Sequence, residues 1–456
     1  MVNRRGFMKS AAAAGGLMLL PSWSAGKQVG PNSKLNIALV GVGGIGGMAI
    51  GQLLPCKQAN IVALCDVDDA RAAKNYKAFP ASMPRFRDYR VMLDKMDKQI
   101  DAVVVSTPDH MHYPIAAWAI AKGKHVFCQK PLTRTIWEAE ELKRLAKEAG
   151  VITQMGNQGH TNEGWRLIKE WYDAGILGQI EEIHIWTNRP VWPQGDLKMP
   201  AGQPVPPTLD YNLWLGVAPY QPYNKAFVPF NWRGLRNYGT GAAGDMACHF
   251  LDVPYSAFDL GFPMSVKGNS TPFNDYSWPS QASSVMTFVN PRGVDNRIRL
   301  HWYDGGRKPK AIKRVDKAFL DDPRNNNATF IVGTKETVYT NEYGMNTRIW
   351  PAARMKELMK GGKLPQKTVP RSVAPGKPFV EWTLACIEGK QPKGNFDYAA
   401  PFTEMALLGM IALCFPDREL NYIPSTMSFA GCPEADKFVR SQYEYRSEFL
   451  PSKIML

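Results

Sequence analysis

The chain has 456 residues, 45% hydrophobic, 11% aromatic and 21% charged, which suits two or three domains and excludes wholesale disorder. No apolar run reaches the roughly 18 residues that a membrane-spanning helix needs. The seven cysteines include no CxxC pair, against a disulfide framework or a zinc ribbon. Lys+Arg exceed Asp+Glu by 55 to 41, but the excess is diffuse and accompanies no nucleic-acid motif, so it reads as solubility and a screened attraction for anions.

The chain opens on a targeting pattern. Asn3-Arg4-Arg5-Gly6-Phe7-Met8-Lys9 precedes the apolar stretch Ser10–Leu20 and a small-residue run to Ala25. A charged start, a short apolar run and small residues beyond make a secretory signal. The paired arginines followed by Phe7 and Lys9 resemble the twin-arginine export signal, whose substrates leave the cytoplasm already folded. Losing Arg4, Arg5 and Lys9 lowers the formal charge by three, from +14 to +11. The expectation is a cleaved signal over 1–25, a linker over 26–33 and a periplasmic protein with no lipid anchor.

Residues 34–157 read as a nucleotide-binding unit. The β-prone run Leu35–Val40 opens into Gly41-Val42-Gly43-Gly44-Ile45-Gly46, a helix-compatible stretch follows, and the strand Ile61–Cys65 ends in Asp66. This is the βαβ dinucleotide fingerprint. Gly41 makes the tight turn, Gly43 lets the backbone approach a pyrophosphate, and Gly46 lets helix and strand pack. Gly44 and Ile45 complete a loop whose N–H groups face the phosphates. Asp66 is placed to accept both ribose hydroxyls, and with Asp68 and Asp69 beside it a 2′-phosphate is disfavoured, so NAD is expected over NADP.

The βα rhythm continues through Asp101–Val105, Lys124–Cys128 and Val151–Met155, with helices over Tyr113–Lys122 and Trp137–Ala149. Repeated βα units imply a parallel doubly wound sheet with ligands at the carboxyl ends of its strands. Thr107, Pro108, His112, Gln129, Lys130, Asn157 and Gln158 fall at or just beyond that edge and are cofactor candidates, with His160 a substrate candidate. Lys130 precedes Pro131, which constrains the local backbone and makes a cis bond available.

From residue 158 the pattern changes to alternating strands, Glu182–Trp186, Ser284–Phe288, Arg297–Trp302 and Thr329–Val332, the sign of a large, mostly antiparallel sheet. The Pro-, Trp- and Tyr-rich stretch 190–229 reads as ordered loops over a pocket, since flexible linkers are aromatic-poor. Trp232 and Arg233 are candidate cofactor contacts. Trp302 and Tyr303 are candidates for an aromatic platform under a sugar ring. In Gly239–Asp252 a glycine-rich turn opens a helix on which Asp245 and His249, four apart, share one face. Alone, that pair reads better as a helix-start acid and a polar-core histidine, and no third or fourth ligand appears at metal-site spacing. No metal is expected.

Together, the GVGGIG turn, STPDHMH at 106–112, QKP at 129–131 and GDMACH at 244–249 make the chain resemble the Gfo/Idh/MocA oxidoreductases, from Leu35 to the C-terminus. The segment Phe396–Glu404 resembles the family's returning C-terminal element. The resemblance implies an α/β protein: an N-terminal Rossmann domain over 34–157, then an α+β substrate domain over 158–456 whose last part, from about 395, packs back. It also implies that Lys130, Asp245 and His249 act on a sugar, and that copies associate as a homo-oligomer. Gln129 departs from the family, many members of which carry an acid there.

The chemistry assigns the roles. Oxidising a secondary alcohol sends a hydride to NAD and a proton to a base. His249, with an ordinary pKa near 6.5, suits the base, Asp245 orients it or the hydroxyl, and Lys130 stabilises the developing alkoxide. Outside the cytoplasm free NAD is not expected, so the cofactor is expected to be held tightly and recycled within the site. Net oxidoreduction giving a keto sugar is the first expectation. The second is glycoside cleavage by transient oxidation and elimination. The third, non-enzymatic, is a sugar-binding module that kept the nucleotide fold.

Overall fold

The computed structural model describes residues 34–292 and 297–452, and the targeting and linker segments expected over 1–25 and 26–33 lie outside them. Six strands build the first sheet: β1 (Leu35–Val40), β2 (Ala59–Cys65), β3 (Arg85–Phe86), β4 (Ala102–Val105), β5 (His125–Gln129) and β6 (Thr153–Gly156). All pair in parallel, in the order β3-β2-β1-β4-β5-β6. Helices cover both faces, which is why β4 (Ala-Val-Val-Val) is buried throughout instead of alternating. The order reverses between β1 and β4, opening a crevice at the strands' carboxyl ends.

The intervening helices carry their own start and stop signals. Asp68 caps the helix Asp69–Tyr76. Thr135 and Glu138 form a capping box for Ile136–Ala149, which ends on left-handed Gly150.

Nine strands form the second sheet: β7 (Ile180–Trp186), β8 (Ser265–Ser270), β9 (Ala282–Val289), β10 (Arg297–Tyr303), β11 (Ala328–Gly333), β12 (Thr337–Thr340), β13 (Arg348–Trp350), β14 (Glu419–Ile423) and β15 (Ser428–Ala430). Their order is β13-β12-β11-β7-β10-β9-β8-β14-β15. Among the described strands of this sheet only β7 and β10 run parallel. The four runs legible in the sequence are β7, β9, β10 and β11. The others are short, or polar like β8 (Ser-Val-Lys-Gly-Asn-Ser), and gave no alternating signal.

One face of this sheet presents Ile183, Ile185, Leu300 and Trp302 to the helical core. The other gathers Trp186, Phe330 and Val332 under Ile312 and Leu320, with Tyr303 packed beside them. The apolar helix Phe396–Leu413 lies against β8, β9 and the helix Ile136–Ala149, so it joins the two domains. The chain returns to the first sheet earlier than 395. The helix Pro378–Glu388 already buries Phe379 and Trp382 against Phe127, with the phenylalanine rings stacked 4.2 Å apart. An aromatic pair on one helix face is enough to seal that flank of the first core.

Candidate active site

The glycine turn is closed by contacts that only glycines permit. Gly41 has φ +83°, and a Cβ there would lie 2.4 Å from the Ser106 carbonyl oxygen. A Cβ on Gly46 would lie 2.0 Å from the Gly41 carbonyl oxygen, so β1, the turn and the helix Gly46–Leu53 are in direct backbone contact. At Gly43 the space a Cβ would take is filled by the Arg71 side chain, whose Cγ lies 2.6 Å from that position. The turn therefore carries a guanidinium beside it as well as free N–H groups.

Beyond the turn lies a cavity of about 350 Å³, walled by Asp66, Arg71 and Thr107 on one side and Trp214, Trp232 and Arg233 on the other. Gly44, Ile45 and Pro108 also line it. Asp66 Oδ2 accepts from the N–H of Val42 (2.8 Å) and Gly43 (2.9 Å), and its Oδ1 from Asp68 (3.0 Å). Burial raises its pKa, while those three N–H groups favour the charged form. Asp69 is ion-paired with Arg87, so of the three aspartates Asp66 and Asp68 carry the negative charge that lines the cavity.

The loop from the second domain closes this end. Asp69 N–H donates to Thr208 and Asp210 N–H donates to Val67, the two bonds that pair Asp68 with Leu209 and strap this end of the cavity. The aromatic-rich stretch thus covers a pocket, as its composition suggests. The residues present fit a dinucleotide. Among the described residues, the helix Gly46–Leu53 starts without a side-chain cap, and the buried Ser106 and Thr107 hydroxyls beside the cavity have no hydrogen-bond partner.

At the other end Lys130, at the tip of β5, reaches the helix Gly241–Phe250. Its Nζ donates to Asp245 Oδ1 and to the Asp245 carbonyl oxygen, both at 2.8 Å, and the Lys130–Pro131 bond is cis. Arg233 Nε lies 3.5 Å from the same Oδ1, and its guanidinium stacks over Trp232, so a residue that lines the cavity also reaches the Lys130–Asp245 pair. Burial opposes a charge on Asp245, but Lys130 and Arg233 outweigh it and hold the carboxyl at about 2. His249, one helical turn on, is buried with no partner for Nδ1 among the described residues. Burial first, then Lys130, pushes its pKa down to about 3, with Asp245 opposing. Its ordinary value near 6.5 therefore does not apply, because an ammonium group and a dry site both penalise the imidazolium.

The other sequence candidates divide. Gln129 is buried under Gly156, where a Cβ would strike its carboxamide, and its Nε2 lacks a partner. Asn157 donates to the Cys248 carbonyl at 2.6 Å, tying β6 to the residue before His249, while its Oδ1 and the Gln158 Oε1 stay unpartnered. His112 braces two loops, its ring nitrogens bonded to the carbonyls of Pro131 (2.8 Å) and Thr107 (2.9 Å), and it does not line the cavity. His160 is turned away into a buried pair with Asp252 (2.9 Å), whose Oδ1 also accepts from Tyr398 at 2.6 Å. Tyr303 lies on the far face of the nine-stranded sheet, and Trp302 packs on Phe250 in the core, so neither forms the expected platform. That far face also gathers Glu182, His184 and His301, with Glu182 taken up by Arg299.

Two models of an oxidoreductase family match the chain: the NAD-binding Rossmann fold over 35–157 and the C-terminal alpha/beta domain over 168–274. The chain belongs to the Gfo/Idh/MocA oxidoreductase family. Among curated Gfo/Idh/MocA relatives, scyllo-inositol 2-dehydrogenase (NADP(+)) of Bacillus subtilis is 28% identical over 173 residues, 38% of each chain. Inositol 2-dehydrogenase of Salmonella typhimurium is 26% identical over 152 residues, 33% of this chain and 45% of that one. The aligned part spans about half or less of such relatives. Among solved structures, aldose-aldose oxidoreductase from Caulobacter crescentus superposes with TM-score 0.58 at 14% identity, covering 85% of this chain and 99% of that one. A levoglucosan dehydrogenase complex with NADH and levoglucosan gives 0.56 at 17% identity, covering 85% and 99%. These likenesses show the fold.

Three features of this Gfo/Idh/MocA site escaped the sequence reading. Tyr343, from the loop after β12, sets its ring edge-on to His249 at 5.1 Å between centroids. Arg189, just beyond β7, adds a further positive charge felt by both His249 and Tyr343, and it has no ion pair among the described residues. Buried Asp109 accepts from the N–H (3.1 Å) and hydroxyl (2.8 Å) of Thr240, fastening the STPDHMH loop to the start of the catalytic helix. Only the Asp109 link had a sequence signal, an acid inside a motif already singled out.

Proposed function

We propose that the protein oxidises a secondary hydroxyl of a sugar or glycoside, giving a keto sugar, with NAD seated between the glycine turn and Arg233. The observation that carries this reading is the Lys130–Asp245 contact beside a buried His249, joined to the NAD cavity through Arg233, which lines that cavity and lies 3.5 Å from Asp245. NAD, when bound, supplies the hydride acceptor. Neutral His249 accepts the hydroxyl proton. The Lys130 ammonium, fixed by two bonds to Asp245, faces the negative charge that develops on the oxygen, so its stabilisation is in place before reaction. Tyr343 meets the His249 ring edge-on and the Arg189 charge acts on the same imidazole, so we place the substrate's remaining hydroxyls beside these two residues.

The relatives named above, which act on inositols or carry sugar-derived ligands in their names, support a polyol or sugar as substrate. The Arg4-Arg5 motif supports a periplasmic setting, and with it a tightly held cofactor regenerated in place. We also extend the proposal to association of copies, which light scattering of the purified protein tests. The deciding experiment incubates NAD-loaded protein with a panel of glycosides and follows keto-sugar formation. Keto sugar that forms in the wild type and is lost in His249→Ala supports the reading. Free aglycone without keto sugar replaces it with the elimination route, and a bound sugar left unchanged leaves only a binding module.

A further inference from the structure

A second cavity, of about 380 Å³, lies behind the catalytic loops and takes no part in the reaction proposed above. Its floor is apolar, formed by Trp278, Met410 and their neighbours on the helix Phe396–Leu413. Its rim is cationic: Arg134, Arg236, Lys437 and Arg440. The only carboxylate lining it is the fully exposed Asp275, engaged with Arg236 at 3.1 Å. Arg134, Lys437 and Arg440 have no ion pair among the described residues. Instead Arg134 lies over Tyr443, Arg440 over Trp137 and Arg236 over Trp278, with ring distances of 4.7, 4.6 and 5.0 Å. The Arg134 guanidinium donates to the Arg236 carbonyl at 3.3 Å and to the Ser441 hydroxyl at 2.9 Å, neutral acceptors that leave its charge uncompensated.

We propose that this cavity is a binding site for a small organic anion: one phosphate, sulfate or carboxylate head on an aryl or alkyl body. Three like charges collected around one opening repel each other, and a single anionic head relieves all three at once. The apolar floor favours an occupant with a hydrophobic body over a bare inorganic ion, because half-buried Trp278 still has apolar surface to cover. The volume is in the range of small-molecule sites. Arg134 follows Lys130 by four residues and Arg236 precedes the catalytic helix by five, so an occupant touches both strands of chain that carry the reacting groups.

The test uses the full chain saturated with NAD, so that the first cavity is filled, and three probes: phenyl phosphate, inorganic phosphate and benzyl alcohol. Titration calorimetry is expected to show phenyl phosphate binding one to one, at least about tenfold more tightly than either other probe. Lys437→Gln with Arg440→Gln removes two exposed charges without touching the core, and is expected to weaken phenyl phosphate by about tenfold or more at an unchanged melting temperature. Lys317→Gln, a remote surface change, is expected to leave binding as it was. Absence of binding, equal binding by the double variant, or benzyl alcohol or phosphate matching phenyl phosphate would each overturn the proposal.

Discussion

At the cofactor end of the cleft, the tight turn comes from one short run, Gly41 to Gly46, with Asp66 at the next strand's tip, and only the wall facing it is drawn from the second domain. The end proposed for the substrate draws on four separate stretches: Lys130 after β5, Arg189 after β7, Asp245 and His249 on one helix, and Tyr343 after β12. The turn is local geometry, complete once a single βαβ unit has formed. The second end exists only when both sheets and the connections between them are in place. Perturbations should therefore act independently at the first end and cooperatively at the second.

The sharpest test removes single groups at the assembled end. Lys130→Ala and His249→Ala are each expected to lower turnover by about a hundredfold or more while NAD affinity changes little, measured by steady-state kinetics and cofactor titration. Turnover near wild type in either variant sinks the assignment. At the local end, Gly41→Ala pushes a Cβ into the Ser106 carbonyl at a left-handed φ, and is expected to weaken NAD binding by about tenfold or more. Tyr343→Ala is expected to raise the substrate KM by about fivefold with a smaller change in kcat, the effect of losing one ring contact. Tyr303→Phe, on the far face, is expected to leave kcat/KM within about twofold.

The charge coupling at the assembled end makes a further prediction, read by proton. His249 at about 3 and Asp245 at about 2 are both unprotonated from pH 5 to 8. Unfolded, they take protons near 6.5 and 3.8, so the folded state binds fewer protons in the window between each pair of values. The stability they contribute is present above those unfolded values and is lost as pH falls toward the folded ones. Because Lys130 depresses both groups, Lys130→Met is expected to raise both, seen as an upward shift of the His249 ring titration by NMR. A ring titration unmoved by that change would break the proposed coupling.

How much of this was legible in the chain follows the same division. The βαβ fingerprint, the QKP tip and the Asp245–His249 spacing are contiguous, and each fell where its local pattern put it. Tyr343 and Arg189 depend on where loops land after β12 and β7 pair with distant strands, which no window of sequence encodes. The platform expected of Trp302 and Tyr303 failed for a simpler reason: neighbours on a strand point to opposite faces, and Trp302 took the core side. His160 was misjudged because its partner, Asp252, comes from another helix and draws it away from the crevice. The pKa of His249 could not be foreseen from residue type, since it follows from dryness and from an ammonium group supplied by the other domain.

The two backbone hydrogen bonds joining residues 67–69 to 208–210 bear on the traffic of the dinucleotide. A nucleotide lying beneath them is enclosed on the adenosine side by chain from the other domain, so departure requires those contacts to part first. Exchange with the surrounding medium is then governed by an opening rate instead of by intrinsic affinity. Isotope placed on the nicotinamide should stay with its own protein molecule for as long as that crossing remains shut.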